Sequence, residues 1–284
     1  MSGEGAGARP LLEVADLHVR FHTRTGVVEA VRGISFTVGR ERIGIVGESG
    51  SGKTMTGRAI LRLVRPPGFV EAQRIALEGM NLLELSERQM RRVRGERIAM
   101  VMQDPKFSLN PVMRVGRQLV EALRVHAKVS TREARERAME MLKAVRIRDP
   151  ERVFRAYPHE LSGGMGQRVM IAMMLIPGPD LLIADEPTSA LDVTVRGQVL
   201  GIMDALVRER GMGLILISHD LNLVATFCDR VLVMFAGRIV EEVDARHLAE
   251  ARHPYTRGLL NCLPRIGGER GPLPVLERDA AWSA

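Results

Sequence analysis

The stretch that decides the fold is Gly47-Glu48-Ser49-Gly50-Ser51-Gly52-Lys53-Thr54, which matches the pattern G-x-x-x-x-G-K-[S/T] in full. It follows a short β-branched run, Arg42 to Val46, and precedes a run with helical spacing, Met55 to Val64. Strand, glycine-rich loop and helix in this order form a phosphate-binding loop, because glycines let the backbone curl around an anion and the helix adds its positive end. We therefore expect Lys53 to contact the β- and γ-phosphates of a nucleotide, and the Thr54 hydroxyl to bind Mg²⁺.

Length and composition place the chain among ordinary globular proteins. Its 284 residues are 45% apolar and 26% charged, which is enough for a sizeable core. The longest stretch without a charge, Val169 to Pro179, contains two prolines and is shorter than the roughly 20 apolar residues of a membrane span. The N-terminus lacks the apolar segment of a secretory signal, and Cys228 and Cys262 are too few for a disulfide framework. We therefore expect a cytosolic protein.

The chain is basic, and its cations are almost all arginine. Lys and Arg total 41 against 34 Asp and Glu, and all but four of the 41 are arginine. A solvated surface, a nucleic-acid surface and contact with an anionic membrane are all compatible with this charge. With aromatic residues at 4%, a surface that stacks the bases of single strands is disfavoured.

Periodicity predicts an α/β chain with a helical segment in its middle. The predicted strands are residues 11–21, 27–38, 42–46, 98–102, 181–185, 213–217 and 231–235, and the predicted helices are residues 55–64, 130–145, 193–209 and 221–227. Between Pro111 and Tyr157, apolar residues recur at helical spacing, and Ser130 to Glu133 has the capping-box pattern. Short buried strands alternating with helices indicate a mainly parallel sheet. The last 30 residues read as a helix followed by an extended tail.

A pair of acids follows a buried strand further along the chain. Leu181-Leu182-Ile183-Ala184 is apolar and ends at Asp185-Glu186. An ordinary strand end followed by a helix cap would give the same pattern. Beside a phosphate loop, however, the first acid can hold Mg²⁺ through water and the second can activate the attacking water. Glu186 is therefore the candidate general base, a role that contributes roughly 10²–10⁴ in rate.

Three further polar positions mark the ends of elements. Leu161-Ser162-Gly163-Gly164-Met165-Gly166-Gln167 precedes an amphipathic run, so Ser162 is either a plain helix N-cap or part of a second anion site. His219 follows an apolar strand, where ligands bind in α/β sheets, although a lone histidine is more often structural. Gln103 follows the strand 98–102 and is uninformative by itself.

Taken in order, these motifs resemble those of the ATP-binding-cassette ATPases over about residues 10–265, and the most specific element is the signature Leu161–Gln167. Within that family, the strings that resemble the oligopeptide, dipeptide and nickel importer subfamily are Gln103-Asp104-Pro105, Ser108-Leu109-Asn110-Pro111, Ala184 to Thr194 and His253-Pro254-Tyr255-Thr256. The resemblance implies an α/β, RecA-like P-loop NTPase fold. It has a mainly parallel sheet, an antiparallel β subdomain and an inserted α-helical subdomain.

The resemblance also implies a role for each motif residue at the chain's own nucleotide. The amides of Gly47–Thr54 and the Lys53 side chain would bind the phosphates of ATP. Thr54, Gln103 and, through water, Asp185 would surround Mg²⁺. Glu186 would be the catalytic base, His219 would contact the γ-phosphate, and Phe21 is the candidate for stacking on adenine.

A second set of residues would serve a nucleotide bound by another subunit. Its signature members are Leu161, Ser162, Gly163, Gly164 and Gln167. Asp192 would lie at the seam of the resulting dimer. ATP would then bridge the phosphate loop of one ATPase subunit and the signature of the other, so that binding closes the dimer and hydrolysis opens it.

The expected domains are an ATPase domain over residues 10–250, with a helical subdomain inserted at about 104–160, and a C-terminal helix and tail over residues 251–284. Three departures from the subfamily stand out. Gly166 replaces a commonly basic residue, which could soften the start of the signature helix. Pro177-Gly178-Pro179 should end that helix abruptly. No cysteine-rich segment follows His253-Pro254-Tyr255-Thr256, so no iron–sulfur cluster is expected.

The resulting hypothesis is the ATP-hydrolysing subunit of an importer for peptides or a related small solute, at the cytoplasmic face of the inner membrane. The implied partners are a second ATPase subunit (a paralogue or a copy), two membrane-spanning permease subunits and an external solute-binding protein, without nucleic acid. Two alternatives stay open: a soluble cassette ATPase acting on nucleic acid or ribosomes, and a regulatory subunit of low activity.

Overall fold

The computed structural model describes residues 9–103, 108–189, 191–262 and 282. Its chain divides into two compact units, one of Met1–Glu84 with Ile215–Ala284 and one of Leu85–Leu214. Several sequence predictions concern residues outside the described ranges: the glycine- and alanine-rich start, Asp104-Pro105, Ala190 and the extended C-terminal tail.

The described elements are eleven strands and nine α-helices. The strands are β1 (Leu12–Thr23), β2 (Gly26–Val38), β3 (Arg42–Val46), β4 (Gly68–Glu71), β5 (Arg74–Leu77), β6 (Met80–Asn81), β7 (Ile98–Val101), β8 (Leu181–Asp185), β9 (Gly213–Ser218), β10 (Arg230–Phe235) and β11 (Arg238–Asp244). The helices are α1 (Lys53–Ile60), α2 (Glu87–Glu96), α3 (Val115–His126), α4 (Thr131–Ala144), α5 (Pro150–Arg155), α6 (Gly163–Leu175), α7 (Val193–Glu209), α8 (Leu221–Phe227) and α9 (Pro254–Asn261).

The first unit contains an antiparallel sheet in the order β2-β1-β5-β6, with β4 also paired to β1. The hairpin of β1 and β2 runs from Leu12 opposite Val38 to Thr23 opposite Gly26. Alternate residues of both strands are buried, which is the period-2 pattern that the sequence shows. Strands β4, β5 and β6 were not predicted, because segments of two to four residues are too short to show a period.

The same unit contains the strands that lead into the phosphate loop, in the order β11-β10-β3-β9. Strand β10 runs parallel to β3, with Val231 opposite Gly44 and Val233 opposite Val46, while β11 pairs antiparallel to β10. The side chains of Ile43, Ile45 and Val231 to Met234 are almost completely buried. This apolar layer holds the end of β3, and therefore the start of the loop, in a fixed place.

The second unit is built from two parallel strands and a group of helices. Strand β7 pairs with β8 from Ile98 opposite Leu181 to Val101 opposite Ala184, and Arg97 forms an ion pair with Asp180 just before both strands. The Ser130 hydroxyl accepts a hydrogen bond from the Glu133 N–H at 3.1 Å, so the predicted cap of α4 is confirmed. The fold class expected from the sequence is therefore confirmed in both units.

The helix after the phosphate loop is shorter than the sequence predicts. The apolar spacing favours a helix over residues 55–64, whereas α1 spans Lys53–Ile60. Arg62 adopts a positive φ of 52°, and the Leu63 N–H bonds back to the Arg58 carbonyl at 2.8 Å. This turn closes the helix as a Schellman-type cap does, with arginine where glycine is usual.

No helix in the described part of the chain is long and apolar enough to cross a membrane.

Cys228, just after α8, offers a test of the packing in the first unit. Burial raises the pKa of its thiol from the ordinary 9.0 to about 12. We therefore expect a maleimide at pH 8 to label Cys262 in the native protein and to leave Cys228 unmodified until denaturant is added. The pKa of this thiol is higher in the folded chain than in the unfolded chain. Its contribution to the free energy of unfolding is therefore lost as the pH rises from 9 towards 12.

Peptide mass spectrometry after a timed labelling pulse measures the extent of labelling at Cys228 and Cys262 in one sample. A chain with Cys262→Ser serves as the control and should take up no label while folded. Equal labelling rates at the two positions in the native chain would contradict the buried setting of Cys228.

Candidate nucleotide site

The phosphate loop packs closely against the backbone of strands β2 and β10. A Cβ atom on Gly52 would stand 2.4 Å from the Ala30 carbonyl oxygen, and one on Gly47 would stand 2.1 Å from the Met234 carbonyl oxygen. Gly52 also has a φ of 102°. Any side chain at these two positions would therefore displace backbone, which explains why the pattern requires glycine at both ends.

The Lys53 side chain folds back over the loop that precedes it. Lys53 is only 7% exposed. Its Nζ donates to the carbonyl oxygens of Gly47 and Glu48, each at 2.7 Å, and to Ser51 Oγ at 3.4 Å. The ammonium group thus lies over a curled backbone, and these three contacts are with neutral oxygens of the loop itself. A phosphate group would suit the Lys53 ammonium, since a phosphate oxygen carries the negative charge that the carbonyl and hydroxyl oxygens lack.

Two further segments of the first unit hold the loop from outside. The Gly237 N–H, in the turn between β10 and β11, donates to the Ser51 carbonyl at 3.1 Å. The Glu48 N–H donates to the hydroxyl of Tyr255, in the first turn of α9, at 3.0 Å. In the sequence, Tyr255 stands out only as part of the string His253-Pro254-Tyr255-Thr256. Nothing in the local pattern shows that it reaches a loop 207 residues away.

His219 directly follows β9, the sheet neighbour of β3, just as Gly47 directly follows β3. The Ser218 hydroxyl accepts from the Asp220 N–H at 3.0 Å, and the Asp220 carboxylate caps α8 by accepting from the Leu223 N–H at 3.0 Å. These bonds fix the backbone on both sides of His219. Its contact with a γ-phosphate stays a prediction.

Phe21 lies in β1, opposite Val28 on one side and Gly68 on the other. Its Cε1 atom is 2.6 Å from the place where a Cβ of Gly68 would stand, so the ring covers that glycine. The role of Phe21 in stacking on adenine stays a prediction.

In the second unit, the two acids and Gln103 lie at one edge of the β7–β8 pair. All five residues of β8 are buried, and Asp185 is 6% exposed. Gln103 comes two residues after Val101, which is opposite Ala184. Since the strands are parallel, their carboxyl ends meet at the same edge, where α/β sheets bind ligands. Glu186 has a φ of 47°, an unusual conformation for glutamate of the kind found at functional sites.

The signature sequence forms the start of α6. The Ser162 hydroxyl accepts from the Met165 N–H at 3.4 Å, so the N-cap interpretation is confirmed. Gln167 is 1% exposed and its Nε2 donates to the Pro187 carbonyl, which ties α6 to the turn after Glu186. Helix α6 runs unbroken through Gly166 and ends at Leu175, just before Pro177-Gly178-Pro179. The expected abrupt end is confirmed, and no break in the helix accompanies Gly166.

A groove of about 520 Å³ opens beside the signature. Three helix starts line it, at the caps Asp149, Ser162 and Asp192, of which Asp192 accepts from the Val195 N–H at 3.0 Å. The lining also includes four arginines: Arg146, Arg148, Arg152 and Arg168. The four guanidinium groups outnumber the carboxylates of Asp149 and Asp192, and the cap at Ser162 is neutral, so the groove favours an anion near the start of α6. Ser162 is thus an N-cap, and its part in a second anion site stays a prediction.

Together, the strand–loop–helix unit with its covered lysine and the paired acids after a buried strand define a P-loop nucleoside triphosphatase. The family described as ABC transporter matches residues 31–189, which is more than half of the chain. The chain therefore belongs to the ABC transporter family, and the expectation of an ATP-binding-cassette ATPase is confirmed.

Several proteins are similar to this chain along most of its length. The probable peptide ABC transporter ATP-binding protein y4tR of Sinorhizobium fredii is 52% identical over 94% of this chain and 81% of its own length. The oligopeptide transport ATP-binding protein OppD of Bacillus subtilis is 49% identical over 90% of this chain and 72% of its own. Among solved structures, the dimeric bacterial ABC transporter cassette MJ0796 has a TM-score of 0.74 and 27% identity, covering 83% of this chain and 99% of that one.

Proposed function

We propose that this chain is the ATP-hydrolysing subunit of an importer for peptides or a related small solute. The observations that carry the proposal are a phosphate loop over which Lys53 folds and an exposed helix start at Ser162, because each offers donors that suit a phosphate. The similarity to the peptide-transport proteins of Sinorhizobium fredii and Bacillus subtilis supports the solute class.

Each residue of the hydrolytic site has a proposed task. Lys53 and the loop amides bind the phosphates of ATP, except the Glu48 N–H, which donates to the Tyr255 hydroxyl. His219 contacts the γ-phosphate. Thr54, Gln103 and, through water, Asp185 would hold Mg²⁺, which would neutralise charge on the phosphates when bound. Glu186 accepts the proton of the attacking water, so the water becomes a stronger nucleophile as the bond to the γ-phosphate breaks.

The signature serves the nucleotide of a second ATPase subunit. Ser162, Gly163 and Asp192 are exposed, and Val193, next to Asp192, is 83% exposed, so this face is open to another chain. A dimeric structure of MJ0796 with ADP and Pi, at a TM-score of 0.74 and 26% identity, supports such a pairing. It covers 83% of this chain and 99% of that one. ATP then stabilises the closed dimer more than the open one, and its hydrolysis releases the closure.

The remaining partners follow from the importer role. Two permease subunits form the channel, an external solute-binding protein delivers the solute, and this chain sits peripherally at the cytoplasmic face of the inner membrane. The domain division proposed for this role is residues 10–250, with a helical subdomain at about 104–160 that meets the permease, and residues 251–284 as a C-terminal addition.

Reconstitution of the purified complex tests this function. The tagged chain should co-purify from detergent with two polytopic membrane proteins and a second ATPase subunit. In proteoliposomes, a labelled tripeptide should cross the bilayer only when the solute-binding protein and ATP are supplied on opposite sides. Recovery with bound nucleic acid and without membrane subunits would instead favour the soluble-ATPase alternative.

A further inference from the structure

We propose that Tyr255 is a positioning residue for the phosphate loop, through which the C-terminal helix α9 sets the affinity for ATP. The inference rests on the proposed function, since ATP must bind at this loop for the loop geometry to matter. It concerns a contact within the first unit of the chain, between the start of α9 and the peptide group that joins Gly47 to Glu48.

The Tyr255 side chain is held by two aromatic neighbours and by its hydroxyl group. It is fully buried, at 0% exposure. Its ring lies 4.5 Å from that of Phe235 and 5.9 Å from that of Trp282, measured between centroids. Its own N–H donates to His253 Nδ1 at 3.2 Å, which caps α9. The hydroxyl oxygen therefore has a defined position when it accepts the Glu48 N–H at 3.0 Å.

A single peptide group connects Tyr255 to Lys53. Its N–H belongs to Glu48 and bonds to the Tyr255 hydroxyl, and its carbonyl belongs to Gly47 and accepts Lys53 Nζ at 2.7 Å. Because a peptide group is planar, holding the N–H end also orients the carbonyl end. The C-terminal helix thus helps to determine where the ammonium group stands.

The start of α9 is itself tied to the sheet that carries the loop. Glu241, in β11, accepts the N–H groups of Arg252 at 2.6 Å and His253 at 3.2 Å through Oε1. The turn between β10 and β11 holds the Ser51 carbonyl through Gly237. The loop is therefore held from two sides by segments that follow β9 in the chain. Such preorganisation spares the ligand the entropy cost of ordering the loop.

The variant Tyr255→Phe removes the oxygen and keeps the ring. We expect its Kd for ATP to rise roughly 3- to 10-fold, because the Glu48 N–H loses its acceptor and the loop becomes less ordered before binding. The KM for ATP should rise by a similar factor while kcat at saturating ATP changes less than twofold. The matched control is Tyr157→Phe, which removes the same atom from a tyrosine whose ring stacks on His159 in the other unit.

A double-mutant cycle separates positioning from general loss of structure. If Tyr255 acts through Lys53, the effect of Tyr255→Phe on the Kd should largely disappear in a chain that already carries Lys53→Ala. Full additivity of the two changes would overturn the proposal. So would a Tyr255→Phe chain that binds ATP as tightly as the Tyr157→Phe control.

A second measurement needs no variant of Tyr255. Trp282 is the single tryptophan of the chain and lies against both Phe235 and Tyr255. Adding Mg-ATP should therefore change its fluorescence, and Lys53→Ala should remove the change at the same ATP concentration. If the wild-type chain binds ATP and the emission of Trp282 does not change, the proposed role of Tyr255 is wrong but the proposed function still stands. If the wild-type chain binds no ATP at all, the proposed function itself fails.

Discussion

Replacing Glu186 with glutamine should lower the ATPase rate of the assembled complex by roughly 10²- to 10⁴-fold, the usual contribution of a positioned general base. The amide has nearly the shape of the carboxylate, but it cannot accept the proton of the attacking water. Binding of ATP should stay within about threefold of the wild type, because the substitution removes no phosphate contact that we propose. Phosphate release measured alongside equilibrium ATP binding distinguishes the two effects.

The matched control is Glu250→Gln, which makes the same change on an exposed glutamate before α9. It should hydrolyse ATP at the wild-type rate. The Glu186→Gln chain should also accumulate as an ATP-bound dimer on size exclusion, because closure is no longer released. Hydrolysis at the wild-type rate in the Glu186→Gln complex would mean that another subunit performs the reaction, as the regulatory alternative requires.

Replacing Lys53 with alanine should weaken ATP binding by roughly 10- to 100-fold. Hydrogen bonds that involve a charged group contribute about 1.5–3 kcal/mol, and a factor of ten in affinity corresponds to about 1.4 kcal/mol. The loss should be smaller for ADP if Lys53 also contacts the γ-phosphate. Titration calorimetry at constant ionic strength measures both ligands, since salt screens the long-range part of the attraction.

Lys128→Ala, which removes an exposed lysine from the segment between α3 and α4, is the control for net charge. It should bind ATP like the wild type. An equal loss in both variants would show that overall charge, and not the loop geometry, governs the affinity.

Patterns that repeat within one element could be predicted from the sequence. Helix α7 and strand β8 were predicted with the residues that the structure assigns to them, since α7 has helical spacing and β8 is a short apolar run that ends at two acids. The caps at Ser130 and Ser162 follow from short-range chemistry and are confirmed. The order of the motifs predicted the family.

Contacts between distant segments could not be predicted in this way. The bond from Glu48 to Tyr255 joins residues 207 positions apart, and neither residue has a local pattern that indicates it. Strand β11 was missed because its residues are only partly buried and give no clear alternation. The early end of α1 depends on Arg62, a residue type that rarely adopts a positive φ, so apolar spacing alone predicted too long a helix.

The folded-back Lys53 has a consequence for which molecules the loop accepts. An ammonium group has three N–H donors, and this one already has three oxygens of its own loop within reach. A nucleoside without phosphates offers Lys53 only neutral oxygens. Replacing the loop oxygens by these therefore yields no gain in free energy. A triphosphate offers charged oxygens, and the exchange becomes favourable. We therefore expect the phosphate loop to favour nucleoside phosphates over adenosine, whatever contacts the base makes.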